Sequence, residues 1–556
     1  MTEKVWLKSY PENLPPEITY DTYPSLGALF TERAETFRDR PAFTCMGKTL
    51  SYGEMLEYSD FFGRWLQHKA GLKKGDRVAI MMPNLLQFPI AMLGALRAGM
   101  TVVNTNPLYT DRELRHQLKD SGATTIVIAD AFAHTLSDVI AETDVRNVII
   151  TGFGDMLGFP KKQLVNLVVR YVKKMVPQYR LAQAVNFNSV LSEGRTLAPM
   201  TDPAVGHDDL AFLQYTGGTT GPSKGAMLTH ANLLANIAQA HACIMVSEPE
   251  LGHEVVVTAL PLYHIFALTA NCFTFMMIGA QNVMIVNPRD MPDFVKTLKS
   301  IRMTAITGVN TLFNGLLNTP GFDEVDFSGL KLSLGGGMAV QRAVAEKWHK
   351  VTGVVLLEAY GLTETSPAVC INPISLKEYN GTIGLPVPST DVAVKSASGE
   401  NLPAGERGEL CVRGPQVMKG YWNRPEATAE AIDKDGWLHT GDIAIMDEQG
   451  FFRIVDRLKD MVLVSGFNVY PNEVEDVIAM HPGVLEVGVI GVPDDKSGEA
   501  VKAVIVRKDP ALTEADIHAH CKENLTGYKC PRYVEFADEL PKTNVGKILR
   551  RELRNQ

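Results

Sequence analysis

The chain has 556 residues and a formal net charge of -9, with 45% hydrophobic and 21% charged residues, which describes an ordinary globular enzyme and argues against general nucleic-acid binding. A single hydrophobic core stops growing at about 250–300 residues, so two or more domains are expected. Its seven cysteines are scattered, odd in number and without a C-x-x-C pair, which suggests neither a disulfide framework nor a zinc site and fits a reducing cytoplasm.

In chain order, the first twenty residues (MTEKVWLKSYPENLPPEITY) hold no apolar core of signal-peptide length, so export is not expected. Apolar strands then alternate with helical stretches, 77–82 before 91–98 and 124–129 before 134–141, which is α/β patterning. Between 160 and 177, Leu164, Leu167, Val168, Tyr171, Val172 and Met175 follow helical spacing, with Lys161, Lys162, Arg170, Lys173 and Lys174 and no acidic residue. Two readings of this helix stay open: an apolar face lying on anionic lipid, or an ordinary helix packed on its domain with a solvated basic face.

Residues 215–225 read YTGGTTGPSKG. Gly217, Gly218, Gly221 and Gly225 can adopt positive φ and let backbone N–H groups close on an anion, while Thr216, Thr219, Thr220 and Ser223 add hydroxyls and Lys224 a charge. A polyphosphate is the expected guest, although Gly225 after Lys224 rules out a Walker A loop. From 255 to 288 no Asp, Glu, Lys or Arg occurs, but Pro261, His264, Asn271 and Gly279 interrupt what would otherwise suit a membrane span. The segment parses instead as strand 255–260, helix 265–278 and strand 282–286, a buried βαβ unit of a doubly wound sheet. Further strands are expected at 305–307, 330–333 and 354–358. From 381 to 455, short strands broken by Gly-Glu, Gly-Pro and Asp-Gly turns suggest a small β-rich subdomain. After Asp456 strand and helix alternation restarts, and the chain closes on a basic tail at 547–554.

Four more motifs follow the glycine loop: 360–364 (YGLTE), 435–460 (DGWLHTGDIAIMDEQGFFRIVDRLKD), 465–475 (SGFNVYPNEVE) and 541–549 (PKTNVGKIL). Together, and in this order, they resemble the acyl-adenylate-forming superfamily of acyl-CoA synthetases, luciferases and peptide-synthetase adenylation domains. The block 435–459 is similar to the signature segment of fatty acyl-CoA synthetases, and 106–110 (NPLYT) is similar to bacterial long-chain fatty-acid–CoA ligases. One departure is Ser223, where most members have proline before the loop lysine; it bears on the loop's rigidity more than on its chemistry.

The resemblance implies an α/β fold in which a large N-terminal AMP-binding domain, 1–455, comprises two doubly wound α/β subdomains (about 1–205 and 206–380) and a β-rich subdomain (381–455). A hinge at 456–460 and a small mobile α+β C-terminal domain, 461–556, follow. It implies a reaction in which ATP and a long-chain fatty acid give acyl-AMP and diphosphate, and CoA then displaces AMP. By the same resemblance, Thr216, Gly217, Gly218, Thr219, Thr220, Gly221 and Lys224 hold the β- and γ-phosphates, Thr363 contacts phosphate, and Glu364 ligates Mg²⁺. Tyr360, with Gly361 beside it, would stack on adenine, and Asp442 and Arg457 would reach the ribose. Lys547, in an exposed turn, is the adenylation lysine, and His264 would lie beside the acyl carboxylate. Asp456 and Lys459 form the hinge, Gly466 would line the pantetheine channel after domain rotation, and the acyl tunnel would pass Gly335, Gly336, Gly337 and Met338.

Two rivals remain within the enzyme class, a fatty-acyl-AMP ligase and a ligase for medium-chain or aryl acids. A third, a fatty-acid-binding protein without turnover, is disfavoured by the presence of Lys224, Glu364 and Lys547. Homodimerisation and peripheral contact with the cytoplasmic face of the inner membrane through 160–177 are further expectations.

Overall fold

Parallel strands buried on both faces read as unbroken apolar runs, and in the computed structural model, which describes residues 4–216, 222–494 and 497–554, these runs build two large sheets. The seven-stranded sheet runs Ala184–Asn186, Asn147–Thr151, Thr125–Ala129, Arg77–Met81, Thr101–Asn104, Leu210–Thr216 and Lys224–Thr229, parallel except for the last pair. Every residue of Thr101–Asn104 and Thr125–Ala129 is buried, as is nearly all of the helix Gln87–Arg97, which connects Arg77–Met81 to Thr101–Asn104. The nine-stranded sheet runs Leu385–Pro386, Ala368–Ile371, Leu356–Gly361, Leu332–Gly335, Ala305–Gly308, Val255–Thr258, Gln281–Met284, Pro41–Cys45 and Lys48–Ser51. The result is a mixed α/β molecule with helices packed on parallel sheets.

The uncharged stretch from 255 is a parallel strand pair in the core of that sheet, joined by a helical connection through Ala267–Thr274 and Phe275–Met277. Among the described residues no helix is long and apolar enough to cross a membrane. The sheets exchange strands across the sequence. Pro41–Cys45 pairs in parallel with Gln281–Met284, while Leu210–Thr216 and Lys224–Thr229 close the seven-stranded sheet before the helix His230–Met245 returns the chain toward the other. That helix starts on a reciprocal cap between Thr229 and Asn232.

The turn-rich stretch forms a four-stranded antiparallel sheet of Asp391–Lys395, Arg407–Arg413, Leu438–Met446 and Phe452–Arg457. The N-terminal segment straps across it, with Trp6 buried edge-on against Phe452 at 6.2 Å. Beyond residue 460 a separate core forms around a five-stranded sheet whose longest strands are Val484–Asp494 and Gly498–Arg507. This unit docks on the helix Asn310–Leu317, where Thr311 Oγ1 donates to the Gly546 carbonyl at 2.9 Å and Asn314 Nδ2 to the Leu485 carbonyl at 2.8 Å.

Candidate active site

The ends of both large sheets, the four-stranded sheet and the C-terminal unit converge on one cavity of about 1550 Å³. Sites for one drug-sized ligand typically measure about 300–1,000 Å³, so this one has room for more than one such molecule. Of the residues singled out in the sequence, Thr216, Lys224, His264, Tyr360, Gly361, Thr363, Glu364, Asp442, Asp456, Arg457, Lys459 and Lys547 line it. Gly217, Gly218, Thr219, Thr220 and Gly221 lie outside the described residues. The loop's two anchors are described: Thr216 and Lys224 face each other as the last paired residues of an antiparallel hairpin.

A short segment at 419–422 runs along that hairpin. The Lys419 N–H donates to the Met227 carbonyl, the Met227 N–H to Gly420, and the Trp422 N–H to Gly225. This fixes Tyr421, whose hydroxyl donates to Glu364 Oε1 at 2.8 Å and whose ring carries the Lys224 ammonium at 4.9 Å. Glu364 sits in the turn Thr363–Thr365, so one tyrosine ties the loop lysine to the carboxylate. Tyr421 was not anticipated, because a tyrosine 57 residues from its partner carries no local signal. The donor set, a carboxylate with threonine hydroxyls nearby, is all hard oxygen and suits Mg²⁺.

Asp442 and Arg457 are cross-strand partners in the four-stranded sheet. Arg457 Nε donates to Asp442 Oδ1 at 3.2 Å, and the Tyr360 hydroxyl donates to Oδ2 at 2.5 Å. An ionised carboxylate offers about four lone-pair sites, so both oxygens keep capacity for further donors. Behind the turn, Glu409 accepts from the Gly441 N–H at 3.0 Å and meets His439 Nδ1 at 2.8 Å, which pins the backbone that presents Asp442.

Lys547 does not stand in an exposed turn. It is half-buried where the C-terminal unit meets the cavity, because Gly546 seats against Thr311 with φ near 85°. Burial lowers its pKa to about 8; Arg457 and Arg550 push the same way and Asp442 opposes them. His264 is held near 4 by burial, assisted by Lys547, so its imidazole is neutral at pH 7 and brings no charge. Glu358, also unanticipated, is buried next to Val340 and Tyr379, and burial raises its pKa to about 8.

Of the expected acyl pocket, Gly336, Gly337 and Met338 line the cavity and Gly335 does not, since it turns toward Val340 at the strand end. Apolar lining extends beyond the glycines to Ala240 and Ile244 of the helix His230–Met245 and to Ala270, Phe275 and Leu334, an apolar arm of the cavity. Gly466 is not among the lining residues. It sits at the tip of the hairpin formed by Val462–Val464 and Phe467–Val469, where Ser465 and Gly466 both have positive φ, at 51° and 84°.

Asp456 is fully buried, and Arg550 Nη1 donates to its Oδ1 at 3.1 Å while the same guanidinium meets Glu475 at 2.9 Å. Burial pulls the Arg550 pKa down, but Glu475 and Asp456 more than offset it, so the group stays charged. The basic tail is therefore not uniformly solvated, and no motif pointed to this cluster.

A family profile described as "AMP-binding enzyme" matches residues 30–422, and one described as "AMP-binding enzyme C-terminal domain" matches 473–547. The chain is 58% identical over 556 residues to a long-chain-fatty-acid–CoA ligase of Escherichia coli O6:H1, covering 100% of this chain and 98% of that protein. It is 41% identical to a protein of the same name from Bacillus subtilis, covering 99% and 98%. Among solved structures, ATP-bound MatB from Rhodopseudomonas palustris superposes with a TM-score of 0.77 at 29% identity, covering 95% of this chain and 98% of that one.

Proposed function

Since the chain belongs to the AMP-binding enzyme family, we propose that it is a long-chain fatty-acid–CoA ligase that forms acyl-AMP and diphosphate from ATP and the acid, then transfers the acyl group to the thiol of CoA. A carboxylate is a poor acyl donor because its leaving group would be an oxide, so activation on phosphorus must come first. The carboxylate oxygen attacks the α-phosphorus and the bond to diphosphate breaks; an anion thus approaches a polyanion, and positive charge at the site is the main requirement.

In this reading Lys547 bridges the incoming carboxylate and the α-phosphate, while Lys224, Thr216 and the glycine loop hold the departing diphosphate. Thr363 contacts phosphate, and Glu364, oriented by Tyr421, is the carboxylate that binds Mg²⁺. When bound, the ion neutralises phosphate charge. Tyr360 and Gly361 flank the adenine, Asp442 and Arg457 take the ribose, and His264 borders the carboxylate as a neutral group. The acyl chain enters the arm beyond Gly336–Met338 toward Ala240 and Ile244. For the second half-reaction the C-terminal unit turns about Asp456–Lys459, Lys547 withdraws, and the hairpin at Gly466 lines the path of the CoA arm. The reading includes a cytoplasmic protein bound peripherally at the inner membrane, and a homodimer, which mass in solution tests.

The observation that supports it best is a single cavity lined both by Lys224, Glu364, Asp442 and Lys547 and by apolar side chains that include Ile244, Phe275 and Leu334. The test is mass-spectrometric product analysis with palmitate, ATP and Mg²⁺, with and without CoA. Palmitoyl-CoA and AMP formed only when CoA is present are expected. Palmitoyl-AMP accumulating regardless of CoA would indicate an acyl-AMP ligase, and turnover confined to shorter or aryl acids would change the substrate class.

A further inference from the structure

We infer that the segment 159–175 is the surface through which the protein docks on a bilayer rich in anionic phospholipid; the inference rests on the peripheral reading above and names the side chains that enter the lipid. The helix Lys161–Leu167 continues through the turn Val168–Val172. Its inner side is already satisfied, since Val165 and Val169 pack on the main core. An ordinary surface helix would then turn polar residues outward. This one exposes Leu164 at 63%, Leu167 at 53%, Tyr171 at 69% and Val172 at 67%, flanked by Phe159 at 86% and Met175 at 44%. Of fifteen large apolar side chains exposed among the described residues, six fall in these seventeen positions, a concentration that single scattered exposures do not produce.

Charge selects the occupant. Between Asp155 and Glu193 there is no acidic residue, and Lys161, Lys162, Arg170, Lys173, Lys174 and Arg180 all fall there, in a chain whose net charge is -9. Lys162 and Arg170 pair inward with Asp155 at 3.4 Å and Asp130 at 3.0 Å, which fastens the helix to the body. Lys173 and Lys174 stand exposed at the helix end beside the apolar residues, the arrangement of an interfacial helix that places cations at headgroup level and its apolar face about 5–10 Å into the boundary. A second copy is a poor occupant, because a two-fold contact through this patch would set its cations against themselves.

The test uses the full-length protein in vesicle co-sedimentation, with phosphatidylglycerol–phosphatidylethanolamine vesicles against phosphatidylcholine vesicles. Binding to the anionic vesicles only, weakened by salt, is expected. Leu167→Ser/Tyr171→Ser/Val172→Ser and, separately, Lys173→Glu/Lys174→Glu should each lose at least about tenfold in partition, with turnover of dissolved octanoate unchanged, since none of these residues lines the cavity. Tyr171→Trp reports insertion directly and survives any folding failure of the triple variant: its emission should shift to the blue and be quenched by bromine on the acyl chains. If the wild type binds no vesicle, the peripheral reading falls and the inference with it. If the wild type binds, the variants bind equally and the indole is not quenched, the peripheral reading stands and this surface is the wrong one. A changed oligomeric mass in the triple variant without a change in vesicle binding would make the face a contact between copies and overturn the proposal.

Discussion

In its proposed role Lys547 must carry its proton to bring together a carboxylate and a phosphate, and its surroundings make that proton loose. Burial, then Arg457 and Arg550, bring its pKa from the ordinary lysine range to about 8. The ammonium is therefore charged below that pH and increasingly neutral above it. For adenylation, kcat/KM reports the free enzyme, so it is expected to fall as pH rises through about 8. Lys547→Arg should move that limb upward, because a guanidinium keeps its charge, at a lower plateau. Rapid-quench measurement of diphosphate release across the range decides it, and a flat profile to pH 10 would show that the charge is not what the step needs. Lys547→Ala should abolish adenylation and spare thioester formation from supplied acyl-AMP. That Lys547, Asp442 and Glu364 would come together on one cavity was legible because each stands in a compact motif. Tyr421 and Glu358 were not: their meaning comes from partners at Glu364 and Tyr379 that only the folded chain brings near.

At the scale of elements, the helix His230–Met245 and the connection Ala267–Thr274 form the walls of the apolar arm. Ala240 is a small residue of that helix on the cavity lining, and in the proposed reading its size leaves the room into which a chain extends. Ala240→Phe is expected to lower kcat/KM for palmitate by at least about a hundredfold while leaving octanoate within about threefold, since added volume in a packed wall is not easily absorbed. Equal losses for both acids would place the chain elsewhere. The strands of this region were readable because strands buried on both faces show continuous apolar runs, as in Thr125–Ala129. The pairing of Pro41–Cys45 with Gln281–Met284 was not readable, because both are ordinary apolar segments and nothing local encodes a register across that separation. The helix at 161–172 lay between: spacing gave the helix, and only side-chain exposure told which face was left uncovered.

Across the whole molecule, the contacts that hold the C-terminal unit on the body include the Gly546–Thr311 and Leu485–Asn314 hydrogen bonds, Arg407 over the Tyr470 ring, and Asn472 and the Arg550 cluster on Asp456. Arg550→Ala would leave Asp456 and Glu475 buried without their cation, a change that typically costs about 3–5 kcal/mol when one partner of a buried pair is removed. Adenylation should fall at least about tenfold, thioester formation from supplied acyl-AMP should fall less, and trypsin should cut faster at Lys459. Equal losses in both half-reactions with unchanged cleavage would assign Arg550 to stability alone. The guanidinium that holds Asp456, the proposed pivot, and the amine proposed to meet the substrate lie three positions apart in the chain. On the proposed reading the pair would act as an interlock: the amine would keep its seat while Arg550 holds Asp456 and leave it as that contact is released. The order of the two half-reactions would then be set mechanically, without a separate signal.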